Sequence, residues 1–329
     1  MGHEAVRCLE HKFSQGLRVS ERVTNCRSFT TELIRCGGTC AVVGSGASYP
    51  VAVLLATFLQ RSKVPAISLT PHGFLSQPLS GTNHVILVTQ AGRRPEVLLC
   101  KRTAIAADLP VMVISGRTDL ADDVSWKGVS QVVVPRDAVL DVGFVPTSAT
   151  IVLSVLASRA SGLSHREIKQ ALEVSFRFAV KEWKAKRISG AHRELHIVFS
   201  KSTRAAACEW ENRFSEYGLG SVVTSDIWNI LHGRFVNSIG ENKALLLKMV
   251  SDAEVQETSA LDELMANCQQ TASINVPVTG RSTPLTAQLF ALAMVELLAS
   301  ARSTDCHNRE AEALSAKCFG TLGRRLKEV

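Results

Sequence analysis

The sequence predicts an α/β protein in which two doubly wound parallel sheets follow one another along the chain. Three observations carry this prediction. Apolar segments of strand length run without alternation, which is typical of strands buried on both faces. Helical segments separate them at short intervals, as in strand–helix–strand units with right-handed crossovers. The pattern then restarts after Ser161-Gly162 and is shorter the second time.

The first predicted domain spans residues 1–162 of the 329. Its charged beginning is expected to form a helix over residues 20–34, ended by Gly37-Gly38. Strands and helices then alternate. The strands are predicted at residues 39–43, 64–69, 85–89, 110–115 and 131–134, and the helices at residues 51–59, 95–107 and 146–160.

The second predicted domain, residues 163–329, is an abbreviated copy. Ser164-His165-Arg166-Glu167 matches a capping box at the start of a helix that extends to about Lys184. A duplication of this kind predicts two similar lobes related by a pseudo-twofold axis. The strands are predicted at residues 195–199, 221–224, 244–250 and 274–278, and the helices at residues 204–217, 255–268 and 285–299.

Net charge and cysteine usage limit the classes of partner. The formal net charge is +7, which favours an anionic ligand. The densest basic runs, residues 181–187 and 324–327, are short and lack interleaved aromatic side chains that stack on bases, so nucleic acid is not an expected partner.

Nine scattered cysteines without a CxxC pair predict reduced thiols in a cytoplasmic protein. The apolar helix at residues 285–298 is too short for a membrane span, and no membrane partner is expected.

The turn after the first strand is a candidate anion site. Its sequence, Gly44-Ser45-Gly46-Ala47-Ser48-Tyr49, leads directly into a helix. Ligands of open parallel sheets bind at the carboxyl ends of the strands, and amides at a helix N-terminus favour an anion. The turn is neither a P-loop nor a complete dinucleotide fingerprint. Gly46 and Ser48 are therefore candidate binding residues, and a tight turn that needs glycine is the alternative.

Two further helix starts carry hydroxyl groups. The third strand ends in Thr89-Gln90-Ala91-Gly92-Arg93-Arg94, where the hydroxyl, the loop amides and the arginines are suited to phosphate oxygens. Thr147-Ser148 stands at the start of the last helix of the first half. Three such helix starts in one domain are best explained by one anionic ligand. The candidate binding residues in these segments are Thr89, Gln90, Ala91, Gly92, Arg94, Thr147 and Ser148.

The order of these motifs resembles the sugar isomerase (SIS) domain. Strand–GxGxS–helix, strand–[ST]QxGxxxE–helix and a hydroxyl pair before a long helix occur in that order, and the two-lobed layout is similar to the isomerase part of glucosamine-6-phosphate synthase and its isomerase and deglycase relatives. The resemblance covers about residues 20–320. It implies two flavodoxin-like SIS domains in tandem, a phosphosugar ligand and a homodimer. It also implies no glutamine-hydrolysing domain, so a complete aminotransferase is not expected.

The resemblance has two departures in the phosphate loop. Ser48 matches the serine of the family's first turn, and Thr89-Gln90-Ala91-Gly92 matches its Ser-Gln-Ser-Gly segment. Ala91 replaces a phosphate-binding serine, and Arg94 stands where the family usually has threonine. The loop loses two hydroxyl groups and gains positive charge. Either an arginine holds the phosphate, or the ligand carries a different anionic group.

Candidate catalytic residues lie in the second half. Glu209, Arg213 and Glu216 share one face of a predicted helix, and His232-Gly233 follows Glu216 after sixteen residues. The resemblance implies that Glu216 moves a proton between C1 and C2 of the sugar and that His232 opens the ring. Arg213 occupies a position where the family has lysine, and Glu211 is the alternative base. A carboxylate in a cleft and an imidazole suit such proton transfers.

Two weaker candidates complete the set. His72-Gly73, after the second strand, is the duplicate of His232-Gly233 and has either a loop role or a place in the site. Lys317 lies in a C-terminal tail whose family counterpart closes over the sugar. No metal or redox cofactor is expected. Two functions stay open: a sugar-phosphate isomerase or deglycase, and a non-catalytic regulatory protein that senses sugar phosphates.

Overall fold

The structure is a computed structural model of the chain. It describes residues 2–23, 33, 37–76, 81–117, 120, 123–133, 146–185, 194–230, 244–251, 254, 258–266 and 271–302. Expected elements that fall between these ranges lie outside the described residues.

Two parallel sheets form the framework of the described residues. The first has the strand order β2-β1-β3-β4-β5 and the second the order β7-β6-β8-β9, so the second sheet repeats the first without its last strand. This order confirms the predicted doubly wound, flavodoxin-like α/β class with an abbreviated second half. The strands are β1 Thr39–Gly44, β2 Ala66–Leu69, β3 Thr82–Thr89, β4 Val111–Ser115, β5 Ser130–Val133, β6 Glu194–Phe199, β7 Ser221–Asp226, β8 Ala244–Ser251 and β9 Thr271–Val276.

The helices connect the strands in chain order. We call the elements up to α5 the first lobe and those from α6 onward the second lobe. The helices are α1 Gly2–Arg22, α2 Tyr49–Arg61, α3 Pro71–Ser76, α4 Pro95–Ala106, α5 Pro146–Ala160, α6 His165–Lys184, α7 Arg204–Glu216, the single turn α8 Ile227–Asn229, α9 Ser259–Ala266 and α10 Thr283–Arg302. The predicted capping box at Ser164 and Glu167 is present at the start of α6.

One continuous apolar core joins the two lobes. It contains Leu54 of α2 and Leu156 of α5 from the first lobe, together with Trp210 of α7 and Phe290 of α10 from the second. Each of these four side chains is buried. Smaller cores lie on the outer faces, where α3 and α4 cover the first sheet and α9 covers the second. The helix layer between the sheets therefore holds the two lobes together.

Two helices of the structure were not expected. The first is α1, Gly2–Arg22, whose Leu9, Phe13 and Val19 pack into the core, whereas most of the helix expected at residues 20–34 lies outside the described residues. His72-Gly73 lies in the short helix α3 rather than in a loop, because Phe74 is buried against the first sheet.

The apolar helix α10 is longer than expected. The segment Gly280–Ala301 has the length and hydropathy of a membrane span, which corrects the expectation that it is too short. Within the fold, however, 78% of this apolar stretch is buried. This is the burial of a core helix, and α10 packs against α2, α6 and α7.

Replacing Gly16 by alanine is expected to destabilise the protein although alanine is the better helix former. A Cβ atom at Gly16 of α1 would lie 2.5 Å from Cγ2 of Ile151 in α5. Overpacking of this kind costs about 1–3 kcal/mol, and the helix gain of up to about 1 kcal/mol does not offset it. Urea denaturation measures the loss. The exposed neighbour Ser14→Ala is the control and should change the free energy of unfolding by less than about 0.5 kcal/mol. An unchanged or raised stability of Gly16→Ala would contradict the close packing of α1 on α5.

Candidate functional site

The turn after β1, the first candidate anion site, lies at the carboxyl end of an interior strand of the first sheet. A 3₁₀ turn, Gly46–Ser48, connects the strand directly to α2. At Gly44 a Cβ atom would lie 2.5 Å from the carbonyl oxygen of Ser48, so only glycine allows the chain to fold back this closely. Gly46 has a φ of +51°, the left-handed region that also favours glycine. Ser48 precedes the first residue of α2, where the helix dipole favours an anion, while the Tyr49 amide donates to Gly46 O and Pro50 has no amide hydrogen.

The loop after β3 lies beside this turn, because β1 and β3 are neighbours that pair up to Gly44 and Val88. The Thr89 hydroxyl accepts a hydrogen bond from the amide of Gly92 at 3.1 Å, which closes the loop on itself. Ser45 Oγ donates to Glu96 Oε1 at 3.3 Å and joins the two loops. The two predicted binding segments of the first lobe are therefore adjacent.

The carbonyl oxygens of this loop are held from the β4 side of the sheet. The hydrogen bonds to these carbonyl oxygens fix the shape of the loop. They also occupy oxygens that would otherwise repel an anion. Arg94 is exposed and precedes α4, so its guanidinium stands at the rim of the loop. Gln90 O accepts from Ser115 Oγ at 3.3 Å, Ala91 O from Arg117 Nη1 at 3.2 Å and Gly92 O from Trp126 Nε1 at 3.0 Å.

Thr147 and Ser148 are buried in the first turn of α5, which packs against the Gly46–Ser48 turn. The Thr147 hydroxyl donates to Glu296 Oε2 of α10 at 2.5 Å and lies 3.0 Å from the Tyr217 hydroxyl. Thr147 is thus close to the predicted cradle, but its hydroxyl is engaged with the second lobe.

Helix α7 brings second-lobe side chains to the same place. Asn212 Nδ2 donates to the carbonyl oxygen of Gly46 at 3.1 Å, a direct contact between α7 and the first-lobe turn. One turn later on α7 come Glu216 and Tyr217, and the Tyr217 hydroxyl meets Thr147. Two contacts therefore position the end of α7 beside the first-lobe turn.

Arg213 organises the charges at the end of α7. Its side chain is fully buried, with Nε 3.0 Å from Glu209 Oε1 and Nη1 2.5 Å from Glu216 Oε2, and Nη2 donates to Thr150 of α5. Burial by itself lowers the pKa of Arg213, but the carboxylates of Glu209 and Glu216 outweigh burial and raise it above its ordinary value. Gln288 of α10 donates to the other oxygen of Glu209 at 3.2 Å. Arg213 therefore remains a cation in the contact between the lobes.

Glu216 and Glu211 differ in their surroundings. The side chain of Glu216 is 42% exposed while one of its oxygens is fixed by the buried Arg213. Glu211 is exposed on the same helix, and its carboxylate accepts a hydrogen bond from Thr224 at 3.5 Å. Of the two candidate bases, Glu216 is the one that a buried guanidinium holds.

The remaining candidates do not join this cluster. His72 is exposed on α3. His232 and Lys317 lie outside the described residues. Among the residues that the structure describes, no group of three or more His, Cys, Asp or Glu side chains is arranged to hold a metal ion.

Sequence reasoning missed a second buried group around Glu296. Its carboxylate accepts hydrogen bonds from Thr147, from Tyr217 at 2.7 Å and from Lys12 of α1. Burial raises the pKa of Glu296, but these donors outweigh it and hold the pKa below its ordinary value. The sequence did contain a signal for this group, because Glu296 is the only charged residue in the apolar stretch of residues 283–301.

Comparison with known proteins shows the fold. No protein-family description and no curated protein matches the sequence. Solved structures match over almost the whole chain. Tagatose-6-phosphate ketose/aldose isomerase from Escherichia coli has a TM-score of 0.69 at 12% identity, over 92% of this chain and 94% of that one.

Two further solved structures agree with it. Glucosamine-6-phosphate deaminase from Thermotoga maritima has a TM-score of 0.65 at 16% identity, over 88% of this chain and 96% of that one. The C-terminal domain of glucosamine-fructose-6-phosphate aminotransferase from Francisella tularensis has a TM-score of 0.62 at 12% identity, over 90% and 95%. The tandem SIS-like fold that the motifs predicted is thereby confirmed.

Replacing Glu296 by glutamine is expected to lower stability and to change its pH dependence. At neutral pH the variant leaves Lys12 buried without its carboxylate, which costs about 3–5 kcal/mol. A carboxylate whose folded pKa is lowered stabilises the protein above the unfolded pKa of about 4.5 and loses that contribution as pH falls through the lower folded value. Denaturant unfolding between pH 3 and 7 should therefore show a shallower loss below about pH 4.5 in Glu296→Gln. The control is Glu10→Gln on the exposed face of α1, and an acid dependence as steep as in the native chain would contradict the role of Glu296.

Proposed function

We propose that the protein binds a phosphorylated sugar at the carboxyl edge of the first sheet and catalyses aldose–ketose isomerisation or a related deglycase reaction. One observation carries the proposal: the half-exposed Glu216 carboxylate, anchored by buried Arg213, stands at the end of a helix whose Asn212 contacts the anion-binding turn at Gly46. Fold likeness to a sugar-phosphate isomerase and a sugar-phosphate deaminase supports the same chemistry.

The phosphate end of the sugar is assigned to the first lobe. The Ser48 hydroxyl at the positive end of the α2 dipole and the neighbouring loop at Thr89 supply hydrogen-bond donors. Arg94 at the rim adds a guanidinium that can take two phosphate oxygens. These donors take the place of the two hydroxyl groups that the family's phosphate loop carries at the positions of Ala91 and Arg94.

The reacting carbons are assigned to the second lobe. The Glu216 carboxylate takes a proton from the carbon next to the carbonyl and returns it to the neighbouring carbon, so that the hydrogen and the carbonyl exchange places. Arg213 acts as a positioning residue because it fixes one carboxylate oxygen and is itself held by Glu209 and Thr150. Ring opening is assigned to His232 on the resemblance alone.

Glu216→Gln is expected to reduce kcat by about 10²–10⁴-fold, the usual contribution of a general base, with little change in ligand affinity. The amide keeps the shape of the side chain but cannot accept the proton. The assay follows aldose–ketose interconversion of a panel of hexose and hexosamine 6-phosphates. Glu211→Gln, on the same helix and exposed, is the matched control and should retain activity. Full activity of Glu216→Gln on the substrate that the native chain turns over would show that another group is the base.

A sensor without catalysis is the second candidate function. It is favoured by the internal engagement of hydroxyl groups expected to bind phosphate, since Thr89 closes its own loop and Thr147 donates to Glu296. Such a site can bind a phosphosugar without holding it in a reactive position.

A thermal-shift titration with the same sugar phosphates, followed by a turnover assay on each hit, separates the two functions. An enzyme should show both stabilisation and turnover, and a sensor stabilisation only. At ligand concentrations about 100-fold above Kd, the expected gain in the free energy of unfolding is about 2.7 kcal/mol. Ser48→Ala is expected to weaken the stabilisation in either case. A panel without any stabilising sugar phosphate would contradict both functions.

A further inference from the structure

The second lobe has its own version of the anion-binding turn. β6 holds the same place in the second sheet as β1 in the first, between the second strand and the third strand of its lobe. Ser200 follows β6 directly, and the 3₁₀ turn Lys201–Thr203 leads into α7, as Gly46–Ser48 leads into α2. The turn therefore presents its donors at the carboxyl end of a central strand.

A carboxylate of the chain itself occupies this turn. Glu254 Oε1 accepts hydrogen bonds from the amide of Ser202 at 3.2 Å and from its hydroxyl at 3.0 Å. Glu254 Oε2 accepts from Ser200 Oγ at 2.5 Å and from Ser251 Oγ at 2.6 Å. Both oxygens are thus bound by donors of the turn and of the end of β8, as the oxygens of a bound anion would be.

A first-lobe arginine completes the surroundings of this carboxylate. Arg61, the last residue of α2, donates from Nη2 to Ser202 Oγ at 2.7 Å. Burial lowers the pKa of Arg61, and the nearby Glu254 carboxylate opposes this change. Burial also raises the pKa of Glu254, but the serine donors outweigh it and hold the pKa below its ordinary value. An ionised carboxylate and a guanidinium therefore meet at the turn.

We propose that the second-lobe turn, Ser200–Thr203, is a second anion site with the chemistry to take a phosphate group, and that the Glu254 carboxylate keeps it closed. The donor set is an amide, hydroxyl groups and an adjacent guanidinium, which is the set that binds phosphate oxygens elsewhere. The proposal concerns a different lobe from the proposed substrate site and does not depend on it.

Space for a larger anion exists beside Arg61. A cavity of about 210 Å³ opens next to its guanidinium, which is shared between the cavity and the turn. The cavity is lined by Phe58, Arg61, Ser62, Ser161, Leu163 and Arg281.

The test is to remove the carboxylate and ask whether inorganic phosphate takes its place. Glu254→Ala should be less stable than the native chain, and phosphate at constant ionic strength should raise its Tm by about 3–5 °C more than that of the native chain. Glu254→Gln keeps the side-chain volume in the turn and should show no extra rise. Adding Ser202→Ala to Glu254→Ala should abolish the extra rise, whereas adding Ser48→Ala should leave it intact.

An equal phosphate response in the native chain, Glu254→Ala and the Glu254→Ala/Ser202→Ala double variant would overturn the proposal, because the turn would then not bind phosphate. A second measurement applies if Glu254→Ala does not fold. Ser202→Ala alone removes a hydroxyl donor to the carboxylate, so the folded pKa of Glu254 moves up toward its unfolded value and the loss of stability below about pH 4.5 should be shallower than in the native chain. Ser215→Ala, an exposed serine of α7, is its control. An acid-induced loss as steep in Ser202→Ala as in the native chain would mean that the turn does not hold Glu254 as a bound anion.

Discussion

The buried guanidinium of Arg213 is the interaction on which the arrangement of the two lobes depends. A cation withdrawn from water is tolerated only when carboxylates and hydrogen-bond acceptors surround it. Here the acceptors come from α7 itself through Glu209 and Glu216 and from α5 through Thr150. Because Gln288 of α10 in turn binds Glu209, three helices must keep their relative positions for the charge to stay compensated. The same requirement fixes one carboxylate oxygen of Glu216 at the end of α7.

The proposed site divides its chemistry between the lobes. The tight turn after β1 depends only on local backbone geometry, which Gly44 and Gly46 allow. A carboxylate that must be both ionised and accessible needs a partner in the interior, and Arg213 supplies it from the layer between the sheets. The buried Lys12–Glu296 pair adds a second polar contact in this layer and ties α1 to the beginning of α5. A core of this kind specifies one docking of the lobes more sharply than apolar packing alone.

Much of the fold could be predicted from the sequence because its signals are local. Uninterrupted apolar strands, the capping box at Ser164 and the glycine turn before Ser48 each act within a few residues. The polar contacts between lobes could not be predicted in this way. Lys12 and Glu296 are 284 residues apart, and Glu254 meets Ser202 across 52 residues. Helix α1 was also missed because charged and polar residues dominate its sequence, although Leu9 and Phe13 stand one helical turn apart. Candidate residues in loops, such as Thr89, were recognised by type, but the hydrogen bond that engages the Thr89 hydroxyl depends on the folded loop.

Helix α2 has a geometric consequence. It begins immediately after Ser48 in the turn of one lobe, and its last residue, Arg61, reaches Ser202 in the turn of the other. Thirteen residues of α-helix make a stiff rod about 20 Å long. The two strand–helix turns, Gly46–Ser48 and Ser200–Thr203, are therefore held at a fixed separation. A displacement of either turn along the axis of α2 is passed to the other without any intervening loop to absorb it.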